Sequence, residues 1–260
     1  MFTNLGDLIN RDLIRDKPAI IDLGSPGAPR EISYGKFDAL ARGTAKALSA
    51  KNYKRGARVA LLAANSAEYF AAQCGAMRAG LVAVPVNYKF PRETIHFIIS
   101  DCGAKFVFCD TERRIDCPEN LPSVEIGDGG LNAFIEQGSF ESVTPATDEP
   151  AMFLYTSGST GVPKGVVISH QSHLWVVKTR LGADDLIQHV FLIAAPMFHM
   201  NALALAQLAM AAHATIVLLP EFSASAYIDA IERFSCTWLT AVPPMIAMML
   251  REKGLANADL

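Results

Sequence analysis

The sequence predicts an α/β fold of two mostly parallel sheets flanked by helices. Three observations carry that reading. Short apolar runs such as Val59–Ala63, Val82–Val86 and Lys105–Cys109 show almost no polar alternation, which is the pattern of strands buried on both faces. Stretches of about a dozen residues with helical apolar spacing lie between them, as parallel crossovers require. The same rhythm returns at Val190–Ala194, Thr215–Leu219 and Thr237–Thr240, and so predicts a second sheet.

Taken in order, Leu5, Leu8, Ile9 and Leu13 form an amphipathic opening before a turn at Lys17 and Pro18. Strands are expected at Ala19–Leu23 and Ile32–Tyr34, on either side of a Gly24–Pro29 loop. The spacing of Phe37, Leu40, Ala41, Thr44 and Leu48 predicts a helix over Phe37–Leu48, with Asp38 and Arg42 as a modest surface pair one turn apart. Helices are then expected over Ser66–Ala79, closed by Gly80, and over Arg92–Asp101, ended near Gly103. The stretch Thr111–Pro150 is broken by prolines and glycines and reads as a surface excursion, with a short strand at Ser123–Ile126 and a helical turn at Leu131–Glu136. Strands follow at Met152–Tyr155 and Val166–Ile168, then a helix from about Gln171 to Leu181. In the last third, helices are expected over Ala202–Ala211 and Ser223–Phe234, with a final one led by Pro243 and Pro244 and running to about Lys253. This organisation predicts a first lobe over 58–185 and a second, incomplete lobe from 1–50 plus 190–260.

Composition excludes several classes. The 260 residues are 51% hydrophobic and 19% charged, enough for a substantial core. A formal net charge of −3 and a pI near 6.1 leave no electrostatic footprint for nucleic acid. The five cysteines, Cys74, Cys102, Cys109, Cys117 and Cys236, form an odd set with no C-x-x-C pair; several lie in apolar surroundings, where a buried thiol is the default, and the set reads as that of a reducing, cytoplasmic compartment. Residues 1–15 mix charges with single apolar residues and do not read as a signal peptide. Ala202–Leu219 is nearly all apolar, but it is alanine-rich first and β-branched later, with a turn near His213. It reads as a buried helix and a buried strand, and no transmembrane segment is expected.

The most informative stretch is Ala151–Trp175. An apolar run ending at Tyr155 gives way to Thr156, Ser157, Gly158, Ser159, Thr160 and Gly161, then Pro163, Lys164 and Gly165. Glycines let backbone N–H groups converge, small hydroxyls add donors and the lysine adds mobile positive charge, which together make a phosphate site. The Walker spacing fails, because Gly165 and not Ser or Thr follows Lys164. A plain polar hairpin turn would use the same glycines and proline, but it needs neither the run of hydroxyls nor the lysine.

Unbroken over Tyr155–Gly165, this segment resembles the phosphate-loop signature of the adenylate-forming superfamily: acyl-CoA synthetases, peptide-synthetase adenylation domains and luciferases. The resemblance implies two stacked sheets forming the incomplete large N-terminal domain of such an enzyme. It implies ATP and Mg2+ as cofactors and CoA as co-substrate, with a carboxylic acid activated as acyl-AMP before a thiol displaces AMP. Thr156, Ser157, Gly158, Ser159, Thr160, Gly161 and Lys164 would then hold the β- and γ-phosphates, with Thr160 also a magnesium ligand.

Other segments have two readings each. His199, in Pro196-Met-Phe-His199, could be a packed, hydrogen-bonded residue; its resemblance to the superfamily's next motif implies an acyl-pocket role, with Met200 and Asn201 beside it. Val242, Pro243 and Met245 could simply begin a helix after a strand, and also resemble a Val-Pro-Pro pocket wall. Lys89 reads equally as a solvated lysine and as the basic residue that some acyl-CoA ligases set against the CoA nucleotide phosphate. His170 and His173 are not taken as catalytic, and no residue here is assigned a catalytic role.

The resemblance covers about the first half of a family member. The Tyr-Gly-x-Thr-Glu segment, the ribose-binding Asp and the adenylation lysine of the C-terminal domain are not among these residues. An ATP-dependent carboxylate–CoA ligase of fatty acid metabolism is therefore expected for the parent protein, with these 260 residues inactive alone. The alternatives are an adenylation domain loading a carrier protein, or a non-catalytic nucleotide-binding scaffold. Uncovered apolar surface on the second sheet predicts self-association as a homo-oligomer.

Overall fold

Among the described residues, nineteen α-helices and strands follow the expected alternation. The structure, a computed structural model, describes residues 2–11, 14–24, 28–127, 129–158, 161–182, 185–252, 255 and 258. Leu13, Lys253 and part of the Gly24–Pro29 loop lie outside these. In chain order the elements are β1 (Pro18–Asp22), β2 (Arg30–Ser33), α1 (Tyr34–Ala50), β3 (Arg58–Leu62), α2 (Ala67–Arg78), β4 (Val82–Pro85) and α3 (Arg92–Asp101). Next come β5 (Phe106–Cys109), β6 (Ser123–Glu125), α4 (Gly130–Phe134), β7 (Pro150–Ser157), β8 (Pro163–Ser169) and α5 (His170–Leu181). The chain continues through β9 (Val190–Ile193), α6 (Met200–Ala211), β10 (Thr215–Leu218), α7 (Ala224–Phe234), β11 (Trp238–Leu239) and α8 (Pro243–Met249).

Two units emerge. The first comprises Met1–Leu8, Lys36–Ala64 and Glu68–Lys178; the second comprises Ile9–Gly35, Asn65–Ala67 and Thr179–Leu260. The first holds a six-stranded sheet of order β6-β5-β3-β4-β7-β8 and the second a five-stranded sheet of order β11-β9-β10-β1-β2. All pairings are parallel except β7 with β8 and β1 with β2. The apolar run at Val166–Ile168 is therefore the return arm of a hairpin. Adjacency in sequence decides this, since a loop of five residues is too short for a parallel crossover.

The first core joins Ala60, Leu62, Val84 and Val107 of the strands to Ile95, Ile98 and Ile99 of α3, which share one helical face. In the second unit Leu192, Val217 and Leu219 pack with Tyr227 and Ala230 of α7. Each fully buried Leu, Ile or Val among these contributes about 1.5–3 kcal/mol. The Ala202–Leu219 stretch is α6 and β10, turned at His213 with a left-handed φ of 57°. No helix among the described residues is long and apolar enough to cross a membrane. The five cysteines are free and buried, as expected.

Two polar groups inside the first unit depart from the sequence reading or sharpen it. Asp38 is buried, and besides Arg42 at 3.1 Å it meets the fully buried Arg78 at 2.7 Å. Arg78 Nε also donates to the Gly6 carbonyl at 2.7 Å. The expected surface pair is thus the outer edge of a buried charge cluster. His170, also buried, accepts a hydrogen bond from the Leu5 N–H on Nδ1 at 2.9 Å, and burial pushes its imidazole down to about 4.

That depression has a definite sign. The unfolded chain takes up the proton near pH 6.5 and the folded chain does so only near 4, so the stabilisation is complete above about 6.5 and is lost as pH falls towards 4. We expect urea unfolding to record a loss of roughly 2–3 kcal/mol across that window from this group. A His170→Gln variant should show a correspondingly shallower slope; an unchanged slope would reject the assignment.

Candidate functional site

The hydroxyl- and glycine-rich segment caps the β7–β8 hairpin. Register pairs Tyr155 with Gly165, Thr156 with Lys164 and Ser157 with Pro163, so Thr156 and Ser157 belong to the strand and not to the loop. Directly opposed residues of an antiparallel pair share a face, which puts the Thr156 and Lys164 side chains on the same side. Both are exposed. At the tip the Gly161 N–H donates to the Gly158 carbonyl at 2.9 Å, and Gly161 has a φ of 79°. A Cβ on Gly158 would stand 2.7 Å from the Val162 carbonyl, closer than real Cβ atoms come. Both glycines are thus demanded by the turn itself, and the bare backbone they leave suits close approach of a phosphate. Ser159 and Thr160, including the expected magnesium ligand, lie outside the described residues.

The hairpin is tied down close to its tip. Tyr155 donates its hydroxyl to Asp101 at the end of α3 at 2.5 Å, and its ring lies against Gly165, where a Cβ would be 3.0 Å from Cζ. Burial, helped by the Asp101 bond, pushes the phenol's pKa up.

Parallel pairing brings the carboxyl ends of β3, β4, β5 and β7 to one end of the sheet, the end where such sheets bind ligands. Lys89 follows β4 there, its N–H donating to the Asn87 side chain at 2.9 Å and its ammonium 5.9 Å from the Tyr88 ring centre. The same ring carries the Arg113 guanidinium at 4.2 Å. Arg113 pairs with Asp110 at 2.9 Å, and Asp110 also accepts the Ala64 N–H at 2.8 Å. Lys89 and the glycine loop therefore share a sheet end within the first unit.

The remaining expected residues gather in the second unit, at the carboxyl ends of β9 and β11. His199 caps the N-terminus of α6 with extended backbone, is exposed, and sets its ring edge-on to Phe198 at 4.6 Å. Asn201 accepts a hydrogen bond from the Thr240 hydroxyl at 2.8 Å, which joins the segment after β9 to the segment after β11. Val242, which caps α8, is 41% exposed, and Pro243 beside it is also exposed. Met200 is half-buried, and Met245 is buried in the core with Leu192 and Val217. The helix-start reading accounts for Met245.

One residue was missed. Asn65, buried, donates from Nδ2 to the carbonyls of Ala195 at 3.0 Å and Leu219 at 3.1 Å, while its Oδ1 accepts the Met197 N–H at 2.8 Å. It uses its two donors and its acceptor to hold the turn that presents His199. The available signal was an Asn directly after an apolar strand end, Leu61-Leu-Ala-Ala-Asn65. Replacing Asn65 with alanine should strand these three backbone groups and cost about 2 kcal/mol or more of stability. An unchanged urea midpoint would refute that role.

Among the described residues no cluster of three His, Cys, Asp or Glu could hold a metal ion. The donor chemistry that is present, glycine backbone with hydroxyls and one lysine, fits a nucleotide's phosphates.

A profile described as AMP-binding enzyme matches residues 12–260. A fatty acid–[acyl-carrier-protein] ligase, ScoC, of Streptomyces coeruleorubidus is 30% identical over 88% of the chain and 47% of its own length. The long-chain-fatty-acid–CoA ligase FadD13 of Mycobacterium tuberculosis is 30% identical over 90% of the chain and 49% of its length. Among solved structures, ATP-bound MatB from Rhodopseudomonas palustris superposes with a TM-score of 0.85 at 26% identity, covering 97% of this chain and 52% of that one. The inhibitor-bound N-terminal domain of FACL13 from M. tuberculosis gives 0.85 at 27% identity, covering 99% and 67%. The chain spans about half the length of the curated relatives it matches.

Proposed function

The chain belongs to the AMP-binding enzyme family, and from that premise we propose that the protein is an ATP-dependent carboxylate–CoA ligase. A carboxylate oxygen attacks the α-phosphorus of ATP, forming acyl-AMP as the bond to pyrophosphate breaks. The CoA sulfur then attacks the acyl carbon, AMP departs and the thiol proton passes to solvent. The observation that carries the reading is the β7–β8 tip, where Gly158 and Gly161 leave backbone bare beside the Thr156–Lys164 pair. Transfer at phosphorus depends on positioning and charge stabilisation, which is what such a tip offers to the departing pyrophosphate.

In this reading Thr156, Ser157, Gly158, Ser159, Thr160, Gly161 and Lys164 hold the β- and γ-phosphates, and Thr160 contributes to a magnesium site. His199, Met200, Asn201, Val242 and Pro243 line the acyl pocket, and Lys89 meets the nucleotide phosphate of CoA. The protein works on a carboxylic acid in the cytoplasm, and the 260 residues taken alone bind nucleotide without completing turnover. A second reading, loading of a carrier protein, is favoured by one observation: the relative ScoC is a ligase for an acyl carrier protein.

Acid-dependent exchange of pyrophosphate into ATP by the full-length protein, across a panel of carboxylic acids, tests the first step. Absence of exchange with every acid would favour a nucleotide-binding scaffold and sink the ligase reading. Product mass with CoA and with a holo carrier protein separates the two acceptors. The same proposal includes a homo-oligomer, for which Leu239, Ile246, Met248 and Leu250 offer exposed apolar surface on β11 and around α8. Light scattering should show a species larger than the monomer, and a clean monomer would reject it.

A further inference from the structure

Cys109 ends β5 and Cys117 follows the 3-10 turn Arg114–Asp116, and both side chains lie buried in one apolar cluster, where each influences the other's ionisation. The seven residues between them close a short loop. Within it Arg113 N–H donates to Asp110 at 2.9 Å and Asp116 N–H to the Arg113 carbonyl at 3.0 Å. The hydrogen bonds of the two thiols are long: Cys109 donates to the Val124 carbonyl at 3.8 Å and Cys117 to the Arg113 carbonyl at 3.7 Å. Cys102, in the same cluster, instead donates to Ile99 at 3.3 Å.

We propose that Cys109 and Cys117 are a modification site that forms a reversible intrachain disulfide when the protein meets a peroxide. The covering layer is thin: Thr111, Glu112 and Arg114 are exposed and Ile115 is 68% exposed, so a local lifting of this turn uncovers Cys117. Cys117 is the attacking sulfur. The neighbouring Cys109 side chain and the charge of Arg114 both favour its thiolate and lower its pKa, whereas Cys109 is pushed up by its Cys117 neighbour and by burial.

The chemistry balances. The Cys117 thiolate attacks a peroxide oxygen, the O–O bond breaks, and the departing hydroxide takes a proton to become water, leaving a sulfenic acid. The Cys109 sulfur then attacks that sulfur, the S–S bond forms, and the sulfenic oxygen leaves as a second water. Two thiols lose two electrons and one hydrogen peroxide is reduced. The product ties β5 to the turn that carries Arg113, the residue seated on Tyr88 beside Lys89.

Hydrogen peroxide treatment, denaturation, alkylation with iodoacetamide and peptide mass mapping test this by a readout independent of ligase activity. Alkylation should fall from five cysteines to three, with a peptide linking Cys109 to Cys117, and dithiothreitol should restore all five. Full alkylation after peroxide, a link through Cys102, or irreversible acids alone would overturn the proposal. In a Cys109→Ser variant, dimedone should trap a sulfenic acid at Cys117; no adduct there would overturn the assignment of the attacking sulfur. Should that variant not fold, the wild-type map decides by itself.

Discussion

Replacing Lys164 with alanine lowers the affinity for ATP roughly ten- to hundredfold, the expected effect of removing one charge-assisted bond to a phosphate. Because Lys164 is exposed and sits opposite Thr156 on the hairpin, the substitution touches no core and leaves the unfolding midpoint in place. Loss of binding is then separable from loss of fold. Lys164→Arg keeps the charge and should retain more of the affinity than alanine does. Titration calorimetry with ATP on wild type and both variants measures this, and equal affinity in the alanine variant would defeat the phosphate-loop reading.

The largest stability effect is expected at Arg78. Its guanidinium is 1% exposed, with Asp38 at 2.7 Å and Asp7 at 3.6 Å. Methionine in its place leaves Asp38 buried without its inner partner, at a cost of roughly 3–5 kcal/mol. Removing both charges, as Arg78→Met with Asp38→Leu, should recover much of that loss, since a buried pair replaced by apolar residues of similar volume is often neutral. Arg42, one-third exposed, returns to water in the double variant. Urea unfolding of the single and double variants decides the matter: a single-variant cost below about 1 kcal/mol would show that the cluster is not buried as a unit.

The sequence made the strands legible wherever burial on two faces erased polar alternation, as at Val59–Ala63 and Thr215–Leu219. The glycine loop was legible because its chemistry is local, concentrated in a few consecutive residues. What escaped was set by distance along the chain. Asn65 acts on carbonyls 130 and 154 residues away, and Arg78 reaches Asp38 across 40, so neither role leaves a periodic trace. Arg78 stands at a helix end, where a basic residue ordinarily points to water. The hairpin return of β8 was missed for a different reason: an apolar run after a glycine loop looks the same whichever direction the chain takes.

The position of that hairpin bears on how readily it opens. Among the described residues β8 pairs only with β7 and forms one edge of its sheet, while the strands between β7 and β6 are held on both sides. Half of the β8 amides point away from the ladder, so the arm that carries Lys164 opens at a fraction of the cost of unfolding the unit. In the proposed phosphate-binding role, an arm of this kind would release its ligand by fraying, with the sheet beneath it undisturbed between one encounter and the next.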